Sequence, residues 1–302
     1  MTIEEKKKAL RNRDRVIRVM TKNGHFRAAL IHNTKTAQDA QENHKLTGIP
    51  ASFLARTLSG ASLTASFLKG EERAILELMG NGVISKIYGE SSQHGESRGY
   101  VNFADNAKTY TVSNEEDILG IGLLKLTRIL YDKAEPVTGV VEMPKSDVGT
   151  DLAYYFNQSE QIPTAVLLDV KLDETGKITH SSGFIVQAIP GYSMIELRAI
   201  FDSITQIPRL SDLFEKEIDL PKIMSKLLPT EFDLVSNQIV DFFCRCSKEN
   251  FIRALHTFDV KEIVNMKNDG HNELVCQYCN KHYYLTDKEF DSIINKVKAQ
   301  KN

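Results

Sequence analysis

Cys244-Arg-Cys246 and Cys276-Gln-Tyr-Cys279 hold the four cysteines of this chain, and 29 residues separate the two pairs. Two close cysteine pairs at such a distance can bring four thiolates to one tetrahedral zinc ion. The same two pairs can instead close two short disulfides. The two states exclude each other, because a metal needs thiolates and a disulfide has none to give. The pattern therefore predicts a C-terminal unit with two alternative covalent states.

All four cysteines are expected to bind one zinc ion per chain. His271 and His282 lie nearby in the sequence and are alternative ligands, but four thiolates already complete a tetrahedron. A closed structural zinc ribbon that takes part in no chemistry is the commoner kind of site. A thioredoxin-type redox pair at Cys276 and Cys279 is a further alternative, although no βαβ pattern surrounds it.

Composition restricts the possible partners and the compartment. The 302 residues have a formal net charge of −2, and the stretch from Cys244 onward has ten Lys/Arg against eight Asp/Glu, so no basic stripe indicates nucleic-acid binding. The N-terminal residues lack the apolar core of a signal peptide, and no run of about eighteen apolar residues predicts a membrane span. We therefore expect a cytoplasmic protein, in which the thiols are normally reduced and the zinc is bound.

Residues 1–190 are predicted to form an α+β core domain with a large antiparallel sheet and helices. Strands are predicted at 16–20, 27–31, 74–79, 83–88, 100–103, 122–131, 137–143, 164–172 and 182–189, and helices at 34–68 and 147–158. Strands outnumber helices and hairpin turns recur, as in antiparallel α+β domains.

Residues 191–240 are predicted to be a metastable helical linker. Apolar residues recur there at helical spacing, and Pro208, Pro221 and Pro229 divide the segment into short helices. Isolated helices of this length are marginal in water and depend on docking. The alternative is an ordinary set of helices packed permanently on the core.

Residues 241–302 are predicted to be the zinc-binding domain. Short helices are expected at 251–255 and 260–266, a turn at 268–270, and strands at 273–275 and 283–285. Because the segment has few large apolar residues, metal binding is expected to supply most of its folding free energy, on the order of 10 kcal/mol.

Enzyme motifs are weak in this sequence. Gly95-Glu-Ser97-Arg-Gly99 fits a hydrolase nucleophile elbow in letters only, since a polar stretch precedes it and a predicted strand follows it. Gly120-Ile-Gly122 lacks the third glycine of a dinucleotide-binding loop, and no phosphate-binding loop is present. The chain is therefore predicted not to be an enzyme and not to use ATP.

Several segments carry a resemblance to a known family. The cysteines occur as Cys244-Arg-Cys246-Ser-Lys and Cys276-Gln-Tyr-Cys279-Asn, with Tyr283 following. Upstream are Leu68-Lys-Gly-Glu-Glu-Arg73, Arg98-Gly-Tyr100, Tyr155-Phe-Asn-Gln-Ser-Glu-Gln-Ile-Pro-Thr164 and Gly183-Phe-Ile-Val-Gln187. In these segments, spread over nearly its whole length, the chain resembles the heat-shock protein 33 family. It departs from the family pattern at Asn250, at Phe258-Asp259 and in the polar stretch 82–97, but at no cysteine.

The resemblance implies a redox-regulated, ATP-independent holdase chaperone for unfolding proteins. In the family the reduced, zinc-bound form is inactive. Oxidation by peroxide or hypochlorous acid releases zinc and forms the disulfides Cys244–Cys246 and Cys276–Cys279. The resemblance also implies client binding and dimerisation through the core domain 1–190, a homodimer when oxidised, and later transfer of clients to an ATP-dependent chaperone system. The runner-up hypotheses are a protein-binding module with a permanent zinc ribbon and a thiol oxidoreductase.

Overall fold

The computed structural model describes residues 13–105 and 116–300, and the chain divides into two compact units between Phe243 and Cys244. We call them the first unit and the metal unit. No helix in the described ranges is long and apolar enough to cross a membrane.

The first unit contains two sheets and seven described helices. Its strands are β1 (Arg15–Thr21), β2 (Phe26–His32), β3 (Arg73–Gly80), β4 (Ile84–Ser92), β5 (Glu96–Phe103), β6 (Gly122–Ile129), β7 (Val137–Glu142), β8 (Thr164–Leu172), β9 (Ile178–Ala188), β10 (Phe232–Ile239) and β11 (Asp241–Phe242). Its helices are α1 (Thr34–Asn43), α2 (Ile49–Ala65), α3 (Glu116–Leu119), α4 (Val148–Ser159), α5 (Met194–Thr205), α6 (Leu210–Lys216) and α7 (Leu220–Leu227).

Sheet A has the strand order β10-β1-β2-β9-β8, and sheet B has the order β11-β5-β4-β3-β6-β7. All pairs are antiparallel except β11 with β5. The predicted α+β class is confirmed.

Helix α2 lies between the two sheets and is buried around its whole circumference. Fourteen of its 17 residues are buried, including Phe53, Leu54 and Leu58. The prediction of one helix over 34–68 was wrong, because the chain turns between α1 and α2. Gly48 has a φ of 65°, which favours glycine, and Pro50 occupies the first turn of α2, where its missing N–H costs no hydrogen bond.

Sheet A is apolar on both faces. On the inner face Val16, Ile31 and Ile185 join the cluster around α2. On the outer face the buried residues of β1, β2 and β9 are Ile17, Val19, Phe26, Ala28, Leu30, Phe184, Val186 and Ala188. Adjacent residues of a strand point to opposite faces, so these strands need cover on both sides.

Helices α5, α6 and α7, which we call the linker helices, cover the outer face. They contribute Leu197, Ile200, Ile204, Leu210, Leu220, Ile223, Met224 and Leu227 to the same cluster. The predicted short helices are thus present and packed on sheet A. No strand was predicted at 232–239, yet β10 pairs with β1 from Thr21↔Phe232 to Arg15↔Ile239.

The metal unit contains α8 (Lys248–Leu255), α9 (Val260–Asn268), β12 (Glu273–Val275), β13 (His282–Tyr284) and α10 (Asp287–Gln300). Its small core joins Leu255, Ile263, Leu285, Phe290, Ile293, Ile294 and Val297. Helix α10 was not predicted, and it supplies four of these seven residues. The core is therefore larger than the sequence analysis expected.

Candidate metal centre

The four cysteine sulfurs meet at one place. They lie within 4.8 Å of one another, and no other such group of potential metal ligands occurs in the described ranges. The Cys244 and Cys276 sulfurs are 3.7 Å apart, and those of Cys246 and Cys279 are 3.4 Å apart. Four ligands at about 2.3 Å from a tetrahedral ion lie about 3.8 Å from each other. The four-cysteine cluster can therefore bind a metal.

Two short backbone structures hold the cysteines in place. Cys276 follows β12, its N–H donates to the Lys281 carbonyl at 2.9 Å, and its carbonyl accepts from the Asn280 N–H at 2.7 Å. Asn280 closes this turn with a φ of 55°. The first pair directly precedes α8, where the Ser247 hydroxyl caps the helix by accepting from the Asn250 N–H. The sulfurs are thus positioned by a hairpin turn and a capped helix start.

Tyr283, part of the family resemblance, contacts the first pair. Its hydroxyl lies 3.3 Å from the Cys246 sulfur and donates to the Cys246 carbonyl at 3.1 Å. The ring packs beside Phe251 with 5.5 Å between centroids, and the Lys281 ammonium lies 5.4 Å from its centre. The phenol therefore links β13 to the turn that carries Cys246.

The surroundings of three of the thiols shift their acidity in different directions. Burial raises the pKa of Cys244 and of Cys279. Burial also acts to raise the pKa of Cys246, but the Tyr283 hydroxyl and the neighbouring sulfurs outweigh it, so the pKa of Cys246 is lowered. Cys246 is thus the most readily ionised of these three thiols. Four adjacent thiolates need a cation among them, and a bound metal ion deprotonates its thiol ligands.

Neither alternative histidine ligand belongs to the cluster. The group of potential ligand atoms in the described ranges contains the four sulfurs and no histidine nitrogen. His282 lies on β13, and its Nδ1 is 2.7 Å from the Glu273 carboxylate.

The enzyme-like motifs occupy structural positions. Ser97 is buried within β5, with its hydroxyl 2.8 Å from that of Ser62 and 3.0 Å from that of Ser91. Strand β5 continues to Phe103, whereas a nucleophile elbow requires a helix directly after the serine. Gly120, with a φ of 62°, lies in the turn before β6, where a side chain would meet Asn81.

Known proteins match this chain along nearly its whole length. A model of the family described as "Hsp33 protein" matches residues 14–286. The chain belongs to the Hsp33 family. The 33 kDa chaperonin of Streptococcus agalactiae serotype Ia is 30% identical, over 93% of this chain and 98% of that protein. The 33 kDa chaperonin of Streptococcus thermophilus strain LMD-9 is 31% identical, over 93% of this chain and 99% of its own.

A solved structure supports the same assignment. The crystal structure of the 33 kDa chaperonin of Thermotoga maritima superimposes with a TM-score of 0.85 at 26% identity, and covers 96% of this chain and 100% of that one. The resemblance stated from the sequence is therefore confirmed. The Hsp33 family is a family of chaperones and not of enzymes, and its members act on client proteins.

One candidate functional surface was missed by the sequence analysis. The outer face of sheet A is an apolar surface that the amphipathic linker helices cover. Its signal was present in the sequence, because Phe26-Arg-Ala-Ala-Leu-Ile31 and Gly183-Phe-Ile-Val186 are nearly continuous apolar runs. Such runs are typical of strands covered on both faces.

Proposed function

We propose that this protein is a redox-regulated, ATP-independent holdase chaperone whose reduced, zinc-bound form is inactive and whose oxidised, zinc-free form binds unfolding proteins. The observation that carries the proposal is the combination of a four-thiol cluster with amphipathic helices over an apolar sheet face. The first feature senses oxidants, and the second stores a surface for clients.

Zinc is the metal that suits this centre. The four sulfurs of Cys244, Cys246, Cys276 and Cys279 form a closed, all-thiolate set, which zinc favours and which leaves no open position for catalysis. When bound, the ion holds all four thiols as thiolates and adds its binding free energy to the folding of the metal unit. Tyr283 donates to the Cys246 carbonyl and orients that pair.

Oxidation consumes the ligands. Each pair of thiolates, Cys244 with Cys246 or Cys276 with Cys279, gives two electrons to one peroxide molecule as it forms a disulfide, and the peroxide takes up two protons and leaves as two waters. Two peroxides therefore oxidise the whole cluster. Since disulfide sulfurs are no longer thiolates, the site loses its affinity for zinc, and the metal unit loses its main source of folding free energy.

Two strands, β10 and β11, connect the linker helices to the metal unit along the chain. Cys244 follows β11 after a single residue, and β11 pairs with β5 over only two residues. The preceding strand β10 lies at the edge of sheet A and is half exposed, with Leu234 at 50% and Val235 at 48%. We infer that unfolding after Cys244 leaves β11 and β10 without a fixed C-terminal end. The linker helices then detach from the outer face.

Detachment uncovers surface of the kind that unfolded proteins bind. The outer face would expose large side chains such as Phe26, Leu30 and Phe184, which are now buried. Contiguous apolar patches on a protein surface mark interaction sites. The released helices carry matching apolar stripes. Two oxidised subunits associate through the first unit, and clients later pass to an ATP-dependent chaperone system once the thiols are reduced.

A light-scattering assay of client aggregation tests this function. It compares reduced zinc-loaded protein, peroxide-oxidised protein, zinc-stripped reduced protein, and oxidised protein that has been reduced and reloaded with zinc, all without ATP. The oxidised form is expected to suppress aggregation and the first and last forms to do so poorly. Equal protection by the reduced and oxidised forms would favour a permanent protein-binding module. Catalytic turnover of disulfides by Cys276 and Cys279 would favour an oxidoreductase.

A further inference from the structure

A half-buried cavity in the first unit carries more positive than negative charge. Its volume is about 200 Å³, and its lining includes Arg27 on β2, Arg128 on β6, Gln187 on β9 and Glu160 just after α4, with the rings of Phe67 and Phe156. The four polar groups come from both sheets and from the end of one helix. They converge on a space that no side chain of the described residues fills.

Arg27 forms no ion pair with the one carboxylate that lines this cavity. Its Nε and Nη2 donate to the Gln187 amide oxygen at 3.0 Å and 2.8 Å, and its guanidinium lies 4.5 Å from the centre of the Phe67 ring. Within residues 13–105 and 116–300, its Nη1 group makes no hydrogen bond and the side chain forms no ion pair. A guanidinium has five N–H donors, so most of its binding capacity remains available.

Two further arginines make this shortage of negative charge larger. Arg128 pairs with Glu160 at 2.6 Å through Nη2. Arg18 donates to the Ser66 carbonyl at the end of α2, and its Nε is buried without a partner among the described groups. Burial lowers the pKa of Arg27, and the charges of Arg128 and Arg18 lower it further, against the raising effect of Glu160. The cavity lining thus holds two guanidinium groups and one carboxylate, and the charge of a third guanidinium acts on Arg27.

Groups at the C-terminal ends of α2 and α4 provide negative charge for two of these three arginines. The C-terminal end of a helix carries partial negative charge and attracts cations. The Ser66 carbonyl at the end of α2 binds Arg18 in this way, and Glu160 just after α4 binds Arg128. Among the described residues Arg27 contacts no carboxylate: its hydrogen bonds go to the neutral Gln187, its guanidinium lies over the Phe67 ring, and Glu160 pairs with Arg128 instead.

We propose that this cavity binds a small multivalent anion bearing phosphate or carboxylate groups. Arg27 and Arg128 would bind two of its oxygens, since guanidinium groups pair in a bidentate manner with such oxygens. Gln187 would orient Arg27, and the rings of Phe67 and Phe156 would contact any apolar part of the ligand. Glu160 would set the affinity by competing for Arg128. This site is independent of the redox switch.

Calorimetric titration of the reduced, zinc-loaded protein with inorganic phosphate and with succinate, in chloride buffer of matched ionic strength, tests the proposal. The wild type should bind at least one of the two anions, and the tighter one identifies the ligand class. Arg27→Gln should weaken binding about tenfold or more, since it removes a charge-assisted contact. Glu160→Gln should tighten binding, which a merely structural carboxylate would not do. Arg73→Gln is the matched control, because Arg73 pairs with Glu90 and does not line the cavity. The affinity of this variant for the anion should equal that of the wild type.

NMR signals of the arginine Nε–H groups locate the site without any variant. Phosphate or succinate should shift the signals of Arg27 and Arg128 in the wild type and leave that of Arg73 in place. Absence of binding by the wild type would overturn the proposal. Binding that leaves the Arg27 and Arg128 signals unmoved, or that survives Arg27→Gln in a folded variant, would also overturn it.

Discussion

The two faces of sheet A are both apolar, but the helices that cover them are held very differently. On the inner face, α2 is buried on all sides between sheets A and B. On the outer face, the linker helices bury one side each and leave Met194 69% and Ile195 82% exposed, and Ile218 between α6 and α7 is 70% exposed. Helix α2 cannot leave without opening both sheets. The linker helices can leave while every strand pair between β1, β2, β8 and β9 remains.

This difference assigns separate roles to the two faces. In the proposed mechanism the inner face holds the first unit together in both redox states, whereas local unfolding uncovers the outer face. Segments that move in regulation belong to the least stable part of a protein. A chaperone that must expose apolar surface without losing its fold needs both kinds of packing on one sheet.

Removing a metal ligand is expected to have the largest effect. Cys276 is almost completely buried, and Cys276→Ser should abolish tight zinc binding, which forfeits on the order of 10 kcal/mol of metal-linked folding free energy. The metal unit should unfold while α2 stays protected. Zinc content and limited proteolysis measure this. Tight zinc binding by a Cys244→Ser/Cys276→Ser double variant would contradict the ligand set.

A truncation on the inner side should destabilise the whole first unit. Leu58 on α2 is fully buried, so Leu58→Ala should lower the free energy of unfolding by about 2–5 kcal/mol. The loss should be the same in the reduced and oxidised states, because α2 is packed in both. Urea unfolding measures it, with Leu123→Ala on the half-exposed β6 as the milder control. A loss confined to one redox state would show that α2 is also part of the switch.

The same kind of truncation on the outer side should depend on redox state. Ile200 on α5 is buried against sheet A, and Ile200→Ala should cost about 2 kcal/mol in the reduced form. In the oxidised form the cost should vanish, since α5 is then already detached. Urea unfolding and binding of a hydrophobic dye report the two effects. Ile195→Ala on the exposed side of α5 is the control, and equal costs in both states would place α5 on the core permanently.

A small pH effect should distinguish the outer face as well. The His180 ring lies on the outer face, 5.2 Å from the Phe214 ring of α6. Burial lowers the pKa of His180 from its ordinary 6.5, against the raising effect of Asp169. Its neutral form therefore contributes fully above pH 6.5, and this contribution is lost as the pH falls from 6.5 through the lowered pKa. His180→Gln should reduce the loss of α6 protection over that interval. If His180→Gln leaves the pH dependence of α6 protection unchanged, His180 is not the group that causes it.

The sequence predicted best those features that depend on local patterns. The cysteine spacing predicted the cluster, and alternating apolar residues predicted most strands. Strand β10 was missed because its half-exposed residues show little alternation, and its pairing with β1 bridges more than two hundred residues of chain. Helix α10 did have a signal that was overlooked. Thr286 and Glu289 form reciprocal hydrogen bonds at its start, and Phe290, Ile293, Ile294 and Val297 follow at helical spacing.

Hydrogen exchange of backbone amides, followed by mass spectrometry in the reduced zinc-loaded and the oxidised protein, tests the central claim most directly. Oxidation should remove protection from the linker helices 194–227, from β10 and from 244–300. Protection of α2 and of β1, β2 and β9 should be retained. Unchanged protection of the linker helices after full oxidation would contradict the account, and so would simultaneous loss of protection in α2.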